Sequence, residues 1–344
     1  MIGILIYFNE TFSKLYFGLA FLFFTYRIVV SPDDLKTIEI LKACAYFVGA
    51  EVFFRMTRGA IAYESSKYLV ILFMMIGIYY KGISGRAYPY FIYLMLLVPS
   101  IFVASTTLSF DANFRTNIAF VLSGPVCLGI AALFTYDKKI PSYQLSEVLL
   151  YVVLPIISLT AYIYFYNPSV RDVIASTASN RSASGGFGPN QVATALGLGM
   201  FIMTIRLFTK SPTLGLKVLN TVLLILISFR AIVTFSRGGV VSAIGAIIAF
   251  LVIYFFKVSE RKKNEVFMIF ILFSFSLMAT WLISSNQTDG FIDLRYANKD
   301  HLGREKTDLT TGRGMLFMNE LEGFVSSPFF GIGSSRAKDS RIEI

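Results

Sequence analysis

Apolar runs long enough to cross a bilayer follow one another along most of this 344-residue chain. A membrane helix needs about 20 mostly apolar residues, with a range of about 17 to 25. Segments of that kind lie near 12–30, 38–54, 66–81, 88–108, 114–135, 145–166, 189–208, 215–235, 238–256 and 265–284. Membrane barrels are written instead as short alternating strands, and no such pattern runs here. The expected fold is therefore all-α: a polytopic transmembrane helical bundle of about ten spans, followed by a large outer loop. The chain is 55% hydrophobic and only 15% charged, where a soluble domain carries roughly a quarter charged residues.

Basic residues orient such a bundle, because Lys and Arg collect on the cytoplasmic side. Lys138-Lys139, the stretch from Arg206 to Lys217 and the stretch from Lys257 to Lys263 make the cytoplasmic loops. Residues 167–188, the turn around Ser236 and everything from Ser285 onward then lie outside. Two regions follow, N-terminal spans at 1–166 and a second region at 167–344 that holds the outer loop, four spans and the start of the large outer loop. The formal charge of +10 sits largely in short loops, where it meets anionic lipid, so no nucleic-acid partner is expected. Cys44 and Cys127 fall inside apolar runs and read as small core residues, with no metal site. MIGILIYF lacks a basic flank and a small-residue cleavage site, so no cleavable signal peptide is expected.

Arg171, Arg181, Arg237 and Arg313 fall on the outer side, against the charge rule. Arg55 and Arg58 do as well, which leaves either a miscounted span or a functional pair. A guanidinium fork matches phosphate oxygens bidentately and holds its charge at any working pH. Outer arginines beside lipid therefore suggest a lipid-linked phosphate or diphosphate.

Three segments could carry that chemistry. The first is RSASGGFGPNQVATAL, from Arg181 to Leu196. Its glycines allow close backbone approach, and Pro189 suits the first turn of a helix. Asn190 then sits at a helix N-terminus, where an anion is favoured; an ordinary Gly-rich turn reads equally well. The second is FRAIVTFSRGG, from Phe229 to Gly239. Arg237 lies at the outer end of a span, to hold an anion or to snorkel. Arg230 lies deeper, where an arginine faces the bundle interior or a wet cavity; an acidic neighbour would be its structural partner. The third runs from Thr310 to Gly333, TTGRGMLFMNELEGFVSSPFFGIG. Met315, Met318, Leu321 and Val325 recur at helical spacing, which predicts a short amphipathic helix capped by Thr310 or Thr311 and ended by Pro328. Arg313 at its start is disfavoured by the dipole unless an anion lies between them; otherwise it is a solvated loop arginine. His301, the one histidine, reads as a solvated loop residue.

Taken in order, GPNQVATAL, FSRGG and TGRGMLF…PFFGIG resemble the O-antigen ligase and polymerase superfamily. The resemblance covers roughly residues 181–333. It implies a metal-independent, cofactor-free glycosyl transfer at the periplasmic face of the bacterial inner membrane. The donor would be a polyprenyl-diphosphate-linked glycan, and the acceptor another glycan, lipid A core or a protein. By motif match Arg237 and Arg313 would hold the diphosphate, with Arg181, Asn190 and Arg230 assisting substrate binding. The family pattern also places a histidine base and further spans beyond the PFFGIG match. Neither is present by Ile344, so a C-terminally truncated and inactive member is expected, and His301, upstream of Arg313, does not take the role. A lipid-linked sugar flippase would want similar basic groups, but with repeats and midplane polar sites. A membrane scaffold would leave the arginines unexplained.

Overall fold

The computed structural model describes residues 2–107, 114–173, 176–305 and 312–333. Among these, every element is helical: α1 (Ile2–Phe8), α2 (Thr11–Val30), α3 (Asp33–Met56), α4 (Ser65–Lys81), α5 (Tyr88–Thr107), α6 (Phe114–Thr135), α7 (Ser142–Tyr166), α8 (Pro189–Thr209), α9 (Leu214–Val233), α10 (Arg237–Lys257), α11 (Glu260–Gln287), α12 (Phe291–Tyr296) and α13 (Arg313–Ser326). Eight of them, α2 and α5 to α11, are long and apolar enough to cross a membrane. The two other expected spans are present as helices, α3 and α4. The first fails on charge, since it carries Lys36, Glu39, Lys42, Glu51 and Arg55. The second has 17 residues, the short end of the spanning range.

Two compact units divide the chain: residues 1–23, 48–61 and 142–306 form the first, and residues 24–47, 62–141 and 307–344 the second. In the first unit α8 packs against α7, α9 and α10. Small residues let α8 and α10 touch backbone to backbone. A Cβ on Gly239 would stand 2.5 Å from the Ala193 carbonyl carbon, and one on Gly197 would stand 2.6 Å from the Gly239 oxygen. Close contact of this kind is how helices associate in lipid, where no hydrophobic gain is available. The C-terminal half of α3 also belongs here, with Phe54 edge-on to Phe17 at 5.1 Å.

In the second unit α4 and α5 flank α6, and Gly77 meets the Phe134 ring. Lys36, Glu39 and Lys42 of α3, which fall in this unit, are buried and paired. Glu39 accepts from Arg27 Nε at 3.1 Å and from Lys42 at 3.2 Å. Lys36 reaches the carbonyls of Ile28, Val29 and Ser31 at the end of α2. Lys138 reaches the Lys81 carbonyl at 3.1 Å, so the C-terminal ends of α4 and α6 share one side, as the alternation requires. Cys44 is buried, as expected of a core residue.

The amphipathic helix α13 spans 14 residues, from Arg313 to Ser326. Gly312, in the left-handed region at φ 80°, occupies its cap position; the expected caps Thr310 and Thr311 lie outside the described residues. Met315, Met318, Leu321 and Val325 form an exposed stripe, a face suited to lying in a membrane interface.

Candidate anion site at the α8 and α10 N-termini

The loop before α8 folds on itself and onto the end of α9. Asn180 N–H donates to the Thr234 carbonyl at 3.2 Å, and the Arg181 carbonyl accepts from Gly186 at 2.9 Å. Gly185 and Gly186 hold φ +71° and +78°, and a Cβ on Gly186 would meet the Tyr166 hydroxyl at 2.7 Å. Glycine is required there on both counts. Pro189 opens α8 as its spacing predicted. The next N–H groups are already partly used, since Gln191 and Val192 both bond the Gly188 carbonyl at 3.1 Å. The Arg181 side chain is exposed.

Three residues separate α9 from α10, so Arg230 and Arg237 do not share a helix. The turn holds Phe235 fully buried with φ 58°, a left-handed conformation costing about 1–2 kcal/mol for a residue with a Cβ. Ser236 precedes α10 but does not cap it. Its hydroxyl donates instead to Asn190 Oδ1 at 2.7 Å. That bond ties the start of α8 to the start of α10, and the two positive dipole ends lie side by side.

Arg237 is the first residue of α10, where its own charge opposes the dipole. Its Nη1 donates to Asn298 Oδ1 at 3.2 Å and approaches the Arg295 carbonyl at 3.5 Å. Arg295 in turn donates from Nε to the Phe235 carbonyl at 3.0 Å. Two guanidinium groups thus share one corner, and Arg295 has no carboxylate partner among the described residues. Burial first, and then the neighbouring Arg237 charge, lower the Arg295 pKa. Burial pushes the adjacent Tyr296 hydroxyl up to about 12, against the pull of the same two arginines. Helix α12 is pinned beneath them: Trp281 Nε1 donates to Asp293 at 2.9 Å, Ser285 also bonds Asp293, and the Trp281 ring meets Tyr296 edge-on.

Arg295 and Asn298 are site residues that sequence reading passed over. They lie in a polar stretch with no apolar period, and α12 has only six residues. The usable signal was a further outer arginine directly after the last span. Arg55, at the end of α3, bonds Gln191 at 3.4 Å and Glu51 at 2.5 Å. The end of α3 and the start of α8 therefore share one side, and no span need be miscounted to explain Arg55.

Arg171 and Arg230 make other contacts. Arg171 is held by Asp289, with Nε bonds of 3.1 and 3.0 Å. That contact lowers the Asp289 pKa, so its carboxylate stays charged beside Arg171 down to lower pH. Arg230 faces the bundle interior, as its depth predicted, and the alternative of an acidic partner fails among the described residues. Its guanidinium stacks 4.0 Å from the Tyr164 ring centroid and donates to the Asn167 carbonyl at 2.7 Å. Arg313 opens α13 in the second unit and is exposed, and His301 lies exposed in a turn beside Asp300.

No curated protein and no solved structure gives a significant match to the chain. Residues 222–343 match the family model described as O-Antigen ligase. This stretch contains FSRGG, the arginine corner and TGRGMLF; the chain is a multi-pass helical membrane protein whose residues 222–343 are similar to the O-antigen ligase family.

Proposed function

We propose that the protein transfers a glycan from a polyprenyl-diphosphate carrier to an acceptor hydroxyl at the periplasmic face of the inner membrane, in surface-polysaccharide synthesis. The observation that carries this reading is the Arg237–Arg295 corner at the start of α10, inside the stretch that matches the ligase family. Two like charges set together beside two helix N-termini are stabilised by an anion between them. Transfer forms a bond from the acceptor oxygen to the anomeric carbon and breaks the bond from that carbon to the diphosphate. The acceptor proton leaves to a base, and the electron pair leaves on the diphosphate. Charge grows on that leaving group, so fixed guanidinium groups help the transition state more than the ground state. Arg181 and Asn190 belong to the same end of α8 and would line the approach. Arg313 enters the proposal by its motif alone.

Replacing Arg295 by glutamine in the chromosomal gene tests this. Surface glycan transfer, read as polymer on gels, should fall at least about tenfold with normal protein level, as expected for loss of one charge-assisted contact. Arg295→Lys should recover part of the activity. Unchanged transfer in Arg295→Gln would remove the corner from the chemistry.

Orientation is tested separately. Cysteines at Ser182 and Gln287, both exposed, should react with a membrane-impermeant thiol reagent from the periplasm. One at Ser259 should not. Labelling of Ser259 from outside would place the arginine corner in the cytoplasm and end the proposal.

A further inference from the structure

Arg230 is 1% exposed, yet its charge and most of its donors are unanswered. Nη2 bonds the Asn167 carbonyl, but Nε and Nη1 have no partner, and neither does the buried Asn167 side-chain amide. No carboxylate among the described residues acts on the guanidinium. The Tyr164 and Phe229 ring faces offset part of the buried charge, and the Tyr164 hydroxyl, which donates to the Leu226 carbonyl, also lies close to the guanidinium, but neither partner carries a full negative charge. A lone buried charge costs far more than a cation–π contact returns.

The same side chain lines a cavity of about 280 Å³ with Tyr164, Val170, Phe229, Ile283 and Gln287. The cavity lies among α7, α9 and α11, all of spanning character. Its residues include none of the Arg237–Arg295 corner. Water could fill it, at about 30 Å³ per molecule, and satisfy the donors. Water would still leave a net positive charge between membrane helices. An anion cancels the charge and accepts from the open N–H groups at once. Apolar walls at Val170, Phe229 and Ile283 add a requirement that a free anion does not meet.

We propose that this cavity is a second binding site, for the phosphate head of an amphiphile. Arg230 donates to the phosphate oxygens, and the apolar walls take the first carbons of the chain. A bilayer phospholipid and a prenyl phosphate share this chemistry. The inference does not depend on glycan transfer.

Photo-crosslinking of the purified full chain tests it, with diazirine-bearing phosphatidylglycerol and diazirine-bearing prenyl phosphate as probes. Each should label peptides holding Phe229 or Ile283 in the wild type. Unlabelled amphiphile should compete; inorganic phosphate at the same concentration should not. The probe that competes better names the source. Arg230→Gln should weaken labelling about tenfold, from the loss of charge-assisted bonds, and Arg237→Gln should leave it unchanged. Ile283→Trp keeps the arginine and fills the cavity, so it should abolish labelling should Arg230→Gln fail to fold. Labelling confined to other peptides overturns the proposal. So does equal labelling in a folded Arg230→Gln protein, or loss in Arg237→Gln alone. Competition by inorganic phosphate equal to that by amphiphile would reduce the site to one for free anions and overturn its lipid part.

Discussion

Lysine in place of Arg237 will lower glycan transfer by about 10²–10³, the loss typical of removing one donor aimed at developing charge. The substitution keeps the charge, so an interfacial snorkelling role predicts almost no change. What it removes is the planar fork. Arg237 holds Asn298 through Nη1 while standing on the first turn of α10. One ammonium cannot keep that contact and also present two parallel donors to a diphosphate. The measurement is glycan polymer from a strain carrying the change at the chromosomal locus, normalised to protein level. Activity within about twofold of wild type would assign Arg237 to anchoring and leave the diphosphate to other groups.

The second large effect is structural. Gly239→Val will strongly destabilise the folded state. The added Cβ would lie 2.5 Å from the Ala193 carbonyl carbon and 2.6 Å from Thr194 N. These are backbone atoms of a helix and cannot swing aside, so α8 and α10 must separate along their whole crossing. Overpacking typically costs about 1–3 kcal/mol when side chains can yield, and here none can. Gly245→Val on the same helix is the control, because nothing lies within 4 Å of its Cβ position. The abundance and melting of the two purified variants should differ severalfold and by several degrees, about 1–2 kcal/mol being enough to change abundance. Equal behaviour would mean that the α8–α10 contact is not as close as described. Gly239 stands three residues beyond Ser236, whose hydroxyl bonds Asn190, so a partly folded Gly239 variant should also lose transfer.

Much of this was legible in the sequence. The start of α8 is announced by Gly188-Pro189 and the start of α10 by the break at Ser236-Arg237, since proline and a polar interruption act locally. The arginines of the outer side were legible as a departure from a charge rule. What was not legible depends on contacts distant in sequence. The acidic partner that was the structural alternative for Arg230 is not there; the Tyr164 ring and the Asn167 carbonyl take its place. Arg295 carries no pattern of its own and acquires a role only when α12 folds against Trp281. The left-handed Phe235 is invisible because nothing in the residue type favours that backbone. Helix α3 was read as an ordinary span because its charges stand singly between apolar residues, and pairing with α2 is a tertiary fact.

That pairing has a consequence for biogenesis. Each charged residue near the centre of a membrane helix costs about 2.5–3.5 kcal/mol during insertion. Helix α3 carries Lys42, which pairs with Glu39 on the same helix, and Lys36 and Glu39, whose partners on α2 are its last carbonyls and Arg27. Those partners are synthesised first and lie just across a turn at Ser31 and Pro32. Helix α3 is thus a poor passenger alone and an acceptable one in company. The ribosome delivers the two as a hairpin, with α2 already waiting to neutralise what α3 brings in.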